Sequence, residues 1–167
     1  MPDRVTFQCG GETCVGYFYG DSGGPARPCV VLCTGFGGTQ DTPAIVGNAN
    51  AFADAGYLAF TFDYRNFGES DGKPRQLVDI AGQLGDIHAA VEFARRRHTV
   101  DPRRIVLWGT SLGGGHVVTA AARDAHIAAV IAQVPFNGFP DKVEGRSSTA
   151  TACLLWAMVV DSVRGML

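Results

Sequence analysis

Hydrophobic positions along this chain follow two alternating rhythms. Cys29–Cys33 (CVVLC), Tyr57–Tyr64 (YLAFTFDY), Arg104–Trp108 and Ile127–Val134 are short runs that are mostly apolar. Runs of that length between turn residues read as strands covered on both faces, as in parallel sheets. Between them lie stretches of helical period. Thr42 followed by Pro43 opens one, with Thr as cap and Pro in the first turn, and it closes near Gly56. Leu77, Ile80, Leu84, Ile87, Val91 and Ala94 recur at spacings of three and four. They draw one apolar stripe, with Asp79, Asp86 and Glu92 off it and Phe93 as an apolar misfit. Leu112–Arg123 is a third helix. At the start, Val5–Gln8 and Cys14–Tyr19 flank Gly10-Gly11-Glu12 and read as a hairpin.

Strands alternating with amphipathic helices predict a three-layer α/β/α sandwich: a mostly parallel sheet with an N-terminal antiparallel hairpin. After Val134 a polar, turn-rich stretch, Pro135–Ser148, leads to a helix-like segment, Thr149–Met166. The chain thus divides into a core over 1–140 and the start of an incomplete cap over 141–167. No strand is evident after Val134. The sixth strand is therefore expected to present an apolar edge, suited to pairing with a second copy in a homodimer.

Composition narrows the function. The chain has 167 residues, 46% hydrophobic and 18% charged, which is globular and not disordered. A net charge of -2 leaves no electrostatic footprint for nucleic acid. The five cysteines include no CxxC pair, and the histidines are scattered, so neither a metal site nor an organic cofactor is indicated. Cys9 and Cys14 flank the hairpin turn and could meet, but nothing else points to an oxidising compartment. The start, MPDRVTFQCG, lacks the apolar stretch of a secretion signal. The longest late apolar run, Ala152–Val160, falls well short of the about twenty residues a spanning helix needs. These features predict a cytoplasmic protein with no membrane partner.

One motif then changes the picture. Gly109-Thr110-Ser111-Leu112-Gly113 matches G-x-S-x-G between a strand and a helix. A sharp turn there holds the serine at the tip in a strained conformation, and side chains two residues away on either side would collide. Ser111 is the candidate nucleophile, and the Leu112 amide at the helix start is one candidate oxyanion donor. The second belongs in the glycine-rich turn after the third strand, Thr34–Gly38, where the Phe36 amide is placed for it. A dinucleotide-binding reading of that turn fails, because the third glycine of GxGxxG falls on Gln40.

Four segments together resemble the bacterial α/β-hydrolases: TGFGGT, DYRNFGESDG (Asp63–Gly72), LWGTSLGGGH and VIAQVPF (Val130–Phe136). The nearest likeness is to the dienelactone hydrolase and X-prolyl dipeptidyl peptidase-like branch, over about Val5–Pro140. The resemblance implies about six of that fold's eight strands. It implies a Ser-His-Asp mechanism with Ser111 as nucleophile, acting on a small-molecule carboxylic ester or an amide. It also implies that the loop Asp63–Gly72 shapes the pocket mouth and is not a triad position. In the family the acid follows a seventh strand and the histidine an eighth. No positions here match them, so the triad His and Asp are expected to be absent from this chain. The alternative is a catalytically incomplete fragment that acts as a binding or interaction module.

The four histidines do not replace the missing one. His126 and His98 precede the sixth and fifth strands, at the end of the sheet opposite Ser111; the helix between Ser111 and His126 spans roughly 18 Å. His88 lies beside the long helix's apolar stripe and reads as a partly buried structural residue. His116 rises about 7.5 Å along its helix and turns about 140° from Ser111, whereas a general base sits about 3 Å from its nucleophile. It reads as a helix-packing or surface residue. Asp124 shares the far end with His126. Asp141, Glu144 and Asp161 have no histidine after them.

Overall fold

The computed structural model describes residues 1–136, Gly138 and the backbone of 148–164. Backbone proximity groups the chain into two units, Met1–Asn137 and Gly138–Leu167. In the second, the expected late helix runs over Ser148–Arg164. Asp141 and Glu144 lie outside the described residues, as does the Asp161 side chain.

The first unit is a six-stranded sheet with helices on both faces. In chain order it comprises β1 (Asp3–Cys9), β2 (Glu12–Tyr19), β3 (Arg27–Cys33), α1 (Pro43–Asp54), β4 (Leu58–Phe62), α2 (Ile80–Arg95), β5 (Val100–Thr110), α3 (Leu112–Ala122) and β6 (Ile127–Gln133). The spatial order is β1-β2-β4-β3-β5-β6. The β1–β2 hairpin is antiparallel and joins β4 antiparallel, while β4, β3, β5 and β6 run parallel. Alternate residues of β3 serve opposite faces, as the pleat dictates. Cys29, Val31 and Cys33 meet α2 and α3, whereas Val30 and Leu32 meet Ile45 and Ala49 of α1.

Two local expectations shift. β5 begins at Val100 and passes through Pro102. Pro102 falls where neither neighbour is paired: β3 skips from Val100 to Ile105, and β6 joins only at Ile105, so the missing N–H breaks no ladder bond. The long helix starts at Ile80, with Asp79 as its cap accepting from the Ala81 amide. Leu77 and Ile80 are exposed, and the buried face of the first half turns to Gln83 and Asp86. Asp86, read as off the stripe, is in fact buried, because Arg65 reaches it from the β4–α2 loop with Nε to Oδ1 at 2.6 Å. His88, read as partly buried, is exposed. Phe93 is no misfit: it stacks on Phe7 at 5.2 Å, next to Phe18 and Phe60.

Candidate active site

Ser111 is the residue between β5 and α3, with φ 55° and ψ −121°. This is the left-handed side of φ for a residue that is not glycine, a strain that persists only where surroundings fix it. The surroundings are glycines and backbone bonds. A Cβ on Gly109 would run into the Gly113 carbonyl, and one on Gly113 into the carbonyls of Cys33 and Thr34 at the end of β3. A Cβ on Gly114 would lie 3.0 Å from Pro135 Cα and 3.1 Å from the Gln133 carbonyl oxygen. The start of α3 is thus seated on the ends of β3 and β6, and only hydrogen fits between. The Ser111 amide donates to the Gln133 carbonyl at 2.9 Å, and the Phe136 amide donates to the Ser111 carbonyl at 2.9 Å. Val134, where β6 leaves the sheet, has φ 41°, so two strained residues stand at the ends of neighbouring strands.

The turn after β3 reaches the same place. A Cβ on Gly35 would lie 3.3 Å from Ser111 Cβ and 3.9 Å from its Oγ. Gly35 therefore lets the turn approach the serine, and Phe36, the second expected donor, is the next residue, with its side chain exposed. Leu112 opens α3, where first-turn amides lack helical partners. The turn is anchored by a residue of the loop expected at the pocket mouth. Asp63, 2% exposed and just past β4, accepts from the Gln40 amide, Gln40 Nε2 and the Glu69 amide, each at 2.9 Å. Gly68 is pressed so close to this carboxylate that any Cβ would overlap it. Burial raises the Asp63 carboxyl above its ordinary value, against the pull of the Gln40 and Glu69 donors. One carboxylate thus ties the β3 turn to the β4 loop. Its signal in the sequence was an acid directly after a mostly apolar strand, upstream of a loop that carries Gly68 and Gly72.

The histidines lie elsewhere. His116 is 4% exposed; its Nε2 is 2.8 Å from Gln83 Oε1, and its ring meets Tyr64 edge-on at 6.2 Å. Burial pushes the imidazole below its ordinary value, so it is held neutral between α2 and α3. His88 lines a cavity of about 390 Å³ with Leu84, Val91, Ala120 and Ile127. That cavity opens toward the end of α3, many residues beyond Ser111. His126 follows α3, where its amide donates to Asp124 at 2.9 Å, and Asp124 pairs with Arg95 at 2.8 Å. His98 is exposed in the turn before β5. No helix among the described residues is long and apolar enough to cross a membrane.

Known proteins share this fold. A family model described as alpha/beta hydrolase fold matches residues 28–151. The chain is 45% identical over 139 residues to the quorum-quenching protein AidA of Acinetobacter baumannii, which covers 83% of this chain and 45% of that protein. It is 36% identical over 118 residues to the thiohydrolase aneE of Aspergillus aculeatus, covering 71% of this chain and 36% of the relative. The crystal structure of the alpha/beta hydrolase GrgF from Penicillium superposes with a TM-score of 0.76 at 31% identity, over 81% of this chain and 46% of that one. The chain spans less than half the length of these relatives.

Proposed function

We propose that this chain, which belongs to the alpha/beta hydrolase fold family, carries the nucleophile and the oxyanion donors of a serine hydrolase. Its substrate class is a small carboxylic ester, thioester or amide. The observation that carries this reading is Ser111 strained on the β5–α3 turn, with the Gly35–Phe36 turn against its Oγ.

Ser111 Oγ attacks the acyl carbonyl carbon and its proton passes to a base. The oxygen that becomes negative accepts hydrogen bonds from the Phe36 and Leu112 amides, each worth about 3 kcal/mol in the transition state. The bond to the leaving alcohol, thiol or amine then breaks, and water hydrolyses the acyl-enzyme. Asp63 contributes by fixing Gln40, and with it the turn that bears Phe36. The histidine base and the acid that orients it come from outside this chain; in support, the matched segments cover only 45% and 36% of these relatives. The relative named a thiohydrolase favours including thioesters over restricting the class to oxygen esters.

A second reading has its own support, since the buried His116 is engaged by Gln83 and the other three histidines are exposed on other elements: the chain is then a binding module without turnover. A fluorophosphonate probe with an ester and a thioester substrate separates the two. Donors and nucleophile without their base leave a residual rate. Slow labelling that disappears in Ser111→Ala is expected. Absent labelling together with absent turnover would leave only the binding module.

A further inference from the structure

Outside this site, Cys9, Cys14 and Asp86 form a cluster of metal-ligating side chains among the described residues. Their two Sγ atoms and a carboxylate oxygen all lie within 4.8 Å of one another, and all three residues are buried. The cysteines come from the two arms of the β1–β2 hairpin, spaced C-x4-C around its glycine turn, within the x2–4 spacing usual for zinc ligands. Asp86 is brought by α2, which no spacing in the sequence could show.

We propose that Cys9, Cys14 and Asp86 form a binding site for a thiophilic divalent cation such as zinc, pinning the hairpin to α2. Three observations support it. First, the hairpin register staggers the cysteines: Cys9 is opposite Glu12 and Cys14 opposite Phe7. Such diagonal neighbours have Cα atoms about 7–8 Å apart, beyond the about 4.4–6.8 Å usual for a disulfide. A metal with bonds of about 2.3 Å to each sulfur bridges a wider gap, with sulfurs near 3.8 Å apart. Second, the charges close. Two thiolates, one carboxylate, the Arg65 guanidinium and a divalent cation sum to zero, as a buried cluster requires. Arg65 also fixes the carboxylate, its backbone amide on Oδ2 at 2.9 Å and Nε on Oδ1 at 2.6 Å, the supporting role such outer partners play around metals. Third, a small cavity of about 40 Å³ has Arg65, Gly82, Gln83 and Asp86 in its lining, though neither cysteine, and Arg65 is partly exposed. That volume admits about one water-sized occupant on the Asp86 side of the cluster, room for a water as fourth ligand.

The test is titration of the reduced, folded chain with Co²⁺, a spectroscopic stand-in for zinc. One equivalent of Co²⁺ per chain should produce thiolate-to-cobalt charge-transfer absorption. Cys9→Ser and Cys14→Ser should each abolish it, and Cys153→Ser, at the exposed cysteine, should keep it. No absorption from folded wild type, or absorption lost only in Cys153→Ser, overturns the proposal. If the hairpin variants fail to fold, X-ray absorption of the zinc-loaded wild type decides instead. Two sulfur donors with the remainder oxygen supports the site, and any other sulfur count refutes it.

Discussion

β3 and β6 carry the same kind of sequence and end in opposite environments. CVVLC of β3 is almost completely buried, with Cys29, Val31, Leu32 and Cys33 all at 0% exposure. IAAVIAQ of β6 is apolar up to its last residue, Gln133, yet Val130 and Ile131 are 36% and 43% exposed. β3 is flanked by β4 and β5 and roofed by α1 on one face and α2 with α3 on the other. Among the described residues β6 pairs with β5 alone. An apolar run therefore specifies a strand of the interior type, but burial is conferred by neighbours on two edges and two faces.

The largest effect that would break this contrast is a charge in each strand. Val31→Asp places an unpaired carboxylate in a site without water and should prevent folding, a loss above about 4 kcal/mol. Ile131→Asp should cost less than about 1 kcal/mol in urea unfolding of this chain. Equal losses would show that β6 is as enclosed as β3.

The glycines under α3 sharpen the contrast at smaller scale. Gly113 abuts the backbone at the end of β3, and Gly114 the backbone leaving β6. Gly113→Ala should cost about 1–3 kcal/mol, as overpacking against an enclosed backbone does. Gly114→Ala should cost less, because the end of an edge strand can shift; chemical denaturation of both variants measures the difference. Smaller again, Ser111→Gly should stabilise the fold by about 1 kcal/mol by releasing the strain at φ 55°. Ser111→Ala, which keeps a Cβ, should change it little.

The smallest expected effect is in the pH dependence. His116 lies on the enclosed side, and burial holds its imidazole below the ordinary 6.5. As pH falls below about 6.5 the unfolded chain takes up the proton first, so folding stability should fall there. Above about 7.5 both states are neutral and this contribution is flat. His116→Gln should flatten the slope of stability against pH between about 7.5 and 5, measured by the urea midpoint at each pH.

How much was legible in the sequence follows a physical division. The elbow is local: Gly109, Ser111 and Gly113 are constrained by a turn only a few residues long, so a short motif encodes it. The succession of strands and helices along the chain also follows from alternating apolar runs. What could not be read were pairings between distant segments. Asp63 finds Gln40, and Asp86 finds Arg65, across stretches in which periodicity says nothing about carboxylates. The same limit turned α2: a stripe counted from Leu77 makes His88 partly buried and leaves Asp86 off it, whereas Asp79 starts the helix later and Arg65 draws Asp86 in. Phe93 was unaccounted for because its partners Phe7 and Phe18 lie on the hairpin, far away in the chain.

The central claim is that Ser111 and two backbone amides form one acyl-transfer site, and its most direct measurement is the crystal structure of the fluorophosphonate adduct. The account predicts phosphorus bonded to Ser111 Oγ, with the phosphoryl oxygen about 2.7–3.1 Å from both the Phe36 and Leu112 nitrogens. An adduct on another residue, or a phosphoryl oxygen turned to solvent away from those amides, would contradict it.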